Sequence, residues 1–65
     1  MTGKLIPNTV YRVHHSSGMI DWKYTHTEHY EGHSYMRAHD RHCGINLASG
    51  REVILKSTQK IKGVA

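Results

Sequence analysis

The stretch "MIDWKYTHTE", Met19–Glu28, decides the fold. Ile20, Trp22, Tyr24 and His26 alternate there with Asp21, Lys23, Thr25 and Thr27. Successive side chains of an extended chain point to opposite faces, so this period of two predicts a half-buried strand. Nowhere does an N-cap residue precede apolar positions at helical spacing, and the expectation is β throughout.

Upstream, "TVYRVHH" (Thr9–His15) is rich in β-branched and aromatic residues, with Tyr11 and Val13 on one face. Pro7 in "LIPNT" suits a turn leading into that strand, and "SSG" (Ser16–Gly18) is turn chemistry. Downstream, "YEGH" (Tyr30–His33) predicts a turn with Gly32 at positive φ. "SYMRAHD" (Ser34–Asp40) then reads as the third strand, Met36 and Ala38 on one face, Tyr35, Arg37 and His39 on the other. "RHCGINLASGR" reads as a loop or short hairpin around Ala48–Gly50. "EVILKS" is the next strand, with Val53 and Leu55 opposite Ile54. "TQK" predicts a 3₁₀ turn and "IKGVA" a closing strand.

Five short strands with a tight turn before the last predict an all-β, antiparallel, SH3-like or Sm-like barrel, because closure hides edges that an open sheet exposes. An open sheet completed by a homodimer is the competing expectation. Residues 1–8 form a lead-in segment and 9–65 the single domain. Its interior is expected to hold Ile20, Trp22, Tyr24, Met36, Val53 and Leu55.

At 65 residues with 37% apolar content, the chain supports one small core, near the size at which a metal or partner helps folding. One cysteine excludes an intramolecular disulfide and points to a cytoplasmic home. No apolar run is long enough to span a membrane, and "MTGKLIPNTV" lacks a secretory apolar segment. A formal charge of +4 favours acidic partners.

Tyr35, Ala38, Arg51, Leu55 and Ile61, within "GHSYMRAHDRHCGINLASGREVILKSTQKIKGV", resemble the closing half of a WYL domain: an aromatic strand with a small residue, a hairpin, then an arginine-containing strand ending in isoleucine. The resemblance implies an Sm-like barrel and a ligand-sensing or nucleic-acid-associated role.

Five of the seven histidines and the cysteine fall between His26 and Cys43. As metal ligands the sequence offers His33, His39, His42 and Cys43. "HDRHC" is nevertheless no zinc-ligand spacing, and adjacent residues of an extended chain point apart. The imidazoles therefore read mainly as strand and turn exteriors, with no cofactor expected and a zinc-stabilised domain as the outlying alternative. Cys43 with His39 or His42 and Asp40 makes a weak nucleophile arrangement, and no histidine follows Asn46 as an HNH nuclease requires. No enzyme activity is expected.

Aromatic and basic residues give the stronger functional pattern. Tyr35 flanked by Arg37, His39 and Arg41 can stack bases and neutralise phosphates, with Tyr30, Lys23, Arg51, Lys56, Lys60 and Lys62 as further contacts. The expected function is a small regulatory module binding nucleic acid. The alternative is a phage- or plasmid-type accessory protein acting on a nucleic-acid-processing host enzyme, with Tyr30, Tyr35 and Arg37 as anchors.

Overall fold

The computed structural model describes residues 5–16 and 18–65. It is all-β: β1 (Val10–His15), β2 (Gly18–Tyr30), β3 (His39–Asn46), β4 (Glu52–Leu55) and β5 (Ile61–Val64), with a 3₁₀ turn at Thr58–Lys60. All pairings are antiparallel within one sheet of order β4-β3-β2-β1-β5.

The start of the sheet is built by turn chemistry. Thr9 N–H donates to the Ile6 carbonyl at 3.3 Å, closing a turn with Pro7 second and Asn8 third at φ 67°. Proline presets the second position and asparagine tolerates positive φ in the third, the residue pattern of a type II turn. Asn8 N–H then donates to the Tyr24 carbonyl at 2.8 Å, and Ile6 N–H to the Tyr11 hydroxyl at 3.0 Å, which ties the lead-in to the sheet.

Cross-strand register gathers the core on one face. Tyr11 lies opposite Trp22, Val13 opposite Ile20, Tyr24 opposite Gly44, and Gly44 opposite Val53. Tyr11, Val13, Trp22, Tyr24, Val53 and Leu55 form the buried cluster, with Leu5, Ile20 and Ile61 packed against it. Trp22 and Val13 are fully buried. A flat single sheet would leave that face in water, so the sheet must curl over itself. Two bulges assist, since an extra residue bends its strand: Thr25 in β2 and Lys62 in β5, the latter beside Gly63 at φ 155°.

The expected barrel is thus met in strand number, antiparallel order and the 3₁₀ turn, but the sheet is not closed. β4 and β5 are its two edges, and among the described residues no ladder joins them. Side chains from both edges, Val53 and Leu55 on one side and Ile61 on the other, share the core that the backbone does not encircle.

Trp22 holds the curl. Its indole crosses Gly44, and Nε1–H donates to the Val53 carbonyl at 3.0 Å. A β-carbon at residue 44 would collide with indole Cε2 and Nε1 and sit 2.7 Å from the Lys23 carbonyl oxygen. Gly44 is therefore the gap through which β2 reaches β4.

Three expectations are corrected. Ser34–Asp40 is not the third strand: β3 begins at His39 and runs through the segment read as a loop. Met36 consequently leaves the core and is 46% exposed. Gly32 is not at positive φ; its role is close approach, for a β-carbon there would lie 2.7 Å from the Ala38 nitrogen.

Candidate functional site: a histidine-rich ribbon

β1 pairs with β2 only as far as Lys23, whereas β2 continues to Tyr30. Beyond the Thr25 bulge, β2 and β3 therefore run on together as a two-stranded ribbon. Its rungs are His26–Cys43, Thr27–His42, Glu28–Arg41, His29–Asp40 and Tyr30–His39. Four of these five rungs carry a histidine.

The ribbon ends in a small loop. His33 and Met36 exchange backbone hydrogen bonds of 2.8 and 3.2 Å across the Ser34–Tyr35 turn. Gly32 lets the returning chain pass close to Met36 and Ala38. Tyr35 stands at the apex, 92% exposed. Behind it, the Tyr30 ring lies 5.0 Å from His39 and 5.9 Å from His33, and its hydroxyl meets His33 Nε2 at 2.7 Å. Arg37 is exposed, and its carbonyl lies 3.0 Å from His39 Nδ1.

The two ribbon faces differ because of Thr25. Without a bulge, His26 would follow Trp22 and Tyr24 onto the core side, as the sequence alternation predicts. The extra residue reverses this parity. The core side continues instead through Thr27, whose hydroxyl bridges the Tyr24 hydroxyl at 2.5 Å and His42 Nδ1 at 3.0 Å. His29 Nδ1 meets Asp40 Oδ1 at 2.8 Å, and this hydrogen bond holds the Asp40 carboxyl below its ordinary range. The opposite face presents His26, Glu28 and Tyr30 beside Cys43, Arg41 and His39.

On that face Cys43 is only 2% exposed, yet it is no member of the hydrophobic cluster. Burial pushes its thiol above the ordinary range; the Glu28 and Glu52 carboxylates add to the shift and the Arg41 guanidinium opposes it. His26 Nε2, Glu28 oxygen and Cys43 Sγ all lie within 4.8 Å of one another, the grouping among the described residues with metal-ligand character. The four candidate ligands read from the sequence are not brought together. His33 and His39 flank Tyr30 at the tip, while His42 faces the side opposite Cys43. His26 and Glu28 were missed, although their spacing of two on a strand placed them on one face.

The expected contact residues divide. Tyr30, Tyr35, Arg37, His39 and Arg41 share the ribbon and its tip. Lys56 directly follows Leu55, the partner of His42, and so belongs to the ribbon base. Lys23 sits mid-sheet, Arg51 immediately before β4, Lys60 in the 3₁₀ turn and Lys62 within β5. With histidines neutral, residues 26–43 carry a net −1, Arg37 and Arg41 against Glu28, Glu31 and Asp40; five protonated imidazoles would make it +4.

Among the described residues, no helix is long and apolar enough to cross a membrane. Comparison with models of protein families, with curated proteins and with solved structures gave no match, so the WYL resemblance stands on its quoted residues alone, of which Tyr35, Ala38 and Arg51 lie outside any strand.

Proposed function

We propose that the chain is a small binding module that engages nucleic acid through the β2–β3 ribbon, and that it regulates a nucleic-acid process rather than catalysing one. The observation that carries this reading is the projection of the ribbon past β1, with Tyr35 and Arg37 exposed at its tip. A two-stranded ribbon fits the major groove of a duplex, and an exposed tyrosine beside a guanidinium stacks on unpaired bases. Arg41 midway along the ribbon and Lys56 at its base supply cations for the flanking phosphates.

The test is fluorescence anisotropy with labelled duplex and single-stranded oligonucleotides over a series of salt concentrations. Binding is expected to weaken steeply with salt, by about one order in affinity per order in salt for each phosphate neutralised. Arg37→Ala and Tyr35→Ala, both at exposed positions, should each weaken binding without altering the fold. Replacing Arg41 and Lys56 together should flatten the salt dependence, whereas replacing Lys60 and Lys62, on the far side of β1 from the ribbon, should leave it unchanged.

A protein partner is the second reading, favoured by one specific observation: the ribbon is nearly uncharged at neutral pH, and its tip exposes Tyr35 and Met36. Absence of oligonucleotide binding at low salt, together with a host protein retained after nuclease treatment and lost with Tyr35→Ala, would replace the nucleic-acid reading with this one.

A further inference from the structure

Thr25 determines the chemistry of its neighbour. Its hydroxyl donates to the Cys43 carbonyl at 2.9 Å, which uses its single hydrogen. The same oxygen lies 3.0 Å from His26 Nδ1, so in that contact the hydroxyl must accept and Nδ1 must carry the proton. A neutral His26 then bears its lone pair on Nε2. That atom faces Glu28 Oε2 at 3.2 Å, itself an acceptor. Two acceptors face each other, and the gap calls for a cation between them. A proton on Nε2 satisfies it as a surface ion pair. Beside them lies the sulfur of Cys43, within 4.8 Å of both, its thiol making only a long contact of 3.7 Å to the Arg41 carbonyl.

We propose that His26, Glu28 and Cys43 form a binding site for a zinc-class divalent metal ion, with the fourth coordination position open to solvent. The site is independent of the nucleic-acid reading. Tetrahedral zinc with bonds of about 2.0–2.3 Å to nitrogen, oxygen and sulfur requires donor separations of about 3.3–3.6 Å. The His26–Glu28 edge already has nearly that length. The sulfur, within 4.8 Å of both, needs an approach of about 1.2 Å at most, within reach of rotating the two exposed side chains over a fixed Cys43. Thiolate, imidazole and carboxylate together select zinc or cobalt over the all-oxygen shells of magnesium and calcium. Thr25 is the outer partner that sets the ligating tautomer, as histidine ligands commonly require. On binding, the Cys43 S–H bond breaks, its proton passes to solvent, and lone pairs from sulfur, Nε2 and the carboxylate go to the ion; water fills the fourth position.

The decisive experiment is titration of the reduced full chain with Co²⁺, followed by displacement with Zn²⁺. One ion per chain is expected, with a thiolate-to-cobalt charge-transfer band in the near ultraviolet and ligand-field bands of four-coordinate intensity. Cys43→Ser should abolish the charge-transfer band. His26→Gln, at an exposed position that does not threaten folding, should weaken binding at least about tenfold, the loss known even for outer-shell partners. His33→Gln with His39→Gln should change nothing. Excess Zn²⁺ should raise the melting temperature of the parent chain and not of His26→Gln. Cobalt binding without a thiolate band, binding indifferent to His26→Gln, or no binding at all would each overturn the site.

Discussion

Gly44→Ala is the most direct probe of how this sheet holds its curl. A methyl group at residue 44 meets the Trp22 indole and comes within 2.7 Å of the Lys23 carbonyl oxygen, where ordinary carbon contacts need about 3.5–4.0 Å. Neither neighbour can give cheaply, because Trp22 is fully buried and Lys23 belongs to the β2–β3 ladder. Overpacking of this kind costs about 1–3 kcal/mol. Moving the indole also breaks its bond to the Val53 carbonyl, and a buried polar group left unpaired costs about 1–3 kcal/mol more. Reduced freedom of the unfolded chain returns about 0.4–1 kcal/mol. The net loss should be about 2–4 kcal/mol. A domain of this size has roughly 3–10 kcal/mol in total. At about 4–8 °C per kcal/mol, the melting temperature should fall by roughly 10–30 °C. Trp22 is the single tryptophan, so its emission reports the site directly during urea denaturation. Gly18→Ala is the control, since nothing lies within 4 Å of a β-carbon there. It should be close to neutral. If Gly44→Ala stays within about 0.5 kcal/mol of the parent with unshifted emission, or if Gly18→Ala loses as much, the indole does not cross Gly44 and the account of the core fails.

Three further outcomes follow from local geometry. Ser16 sits at φ 53° in the β1–β2 turn, so Ser16→Asn should stabilise by a few tenths to about 1 kcal/mol in thermal melts; a lower melting temperature would refute the left-handed assignment. Gly32→Ala should act locally, abolishing hydrogen-exchange protection at the His33 and Met36 amides while moving the global melt less than Gly44→Ala does; retained protection would mean that the tip tolerates a β-carbon. The Asp40 carboxyl titrates below the ordinary 3.8 because of His29, so its small contribution to stability is present above that value and fades as pH falls through the lowered one. His29→Ala should return the Asp40 titration, followed by carboxyl-carbon NMR, toward 3.8, and an unmoved titration would remove His29 as the cause.

Much of the sheet was legible because burial of one face leaves a period of two. Trp22, Tyr24, Val53 and Leu55 were placed correctly from alternation, and the 3₁₀ turn from the short polar "TQK" before the last strand. The third strand was misplaced for a physical reason. "SYMRAHD" alternates as well as a real strand does, but alternation says nothing about whether a partner exists. β2 reaches Tyr30, so its antiparallel partner must begin at the register of His39, and residues 31–38 are left to make the connection. Met36 then has no sheet to cover. The same slip hid the cross-strand meeting of His26 and Cys43, which requires β3 to be in place before their proximity can be read.

The Thr25 bulge links the fold to the candidate site more tightly than either suggests alone. Threonine is as acceptable in a strand of either parity, so no composition signal announces an extra residue there. One inserted position nevertheless does three things. It bends β2 where the curled sheet gives way to the free ribbon. It turns His26 away from Tyr24, sparing the core an imidazole and setting that ring opposite Cys43. Its hydroxyl, bonded to the Cys43 carbonyl and to His26 Nδ1, fixes the distance between the two strands and the proton position on the ring together. Valine at residue 25 would lose both contacts of that hydroxyl, the one to the cross-strand carbonyl and the one to the imidazole. The side chain found at residue 25 therefore suits the chemistry of the ribbon base as much as the curvature of the sheet.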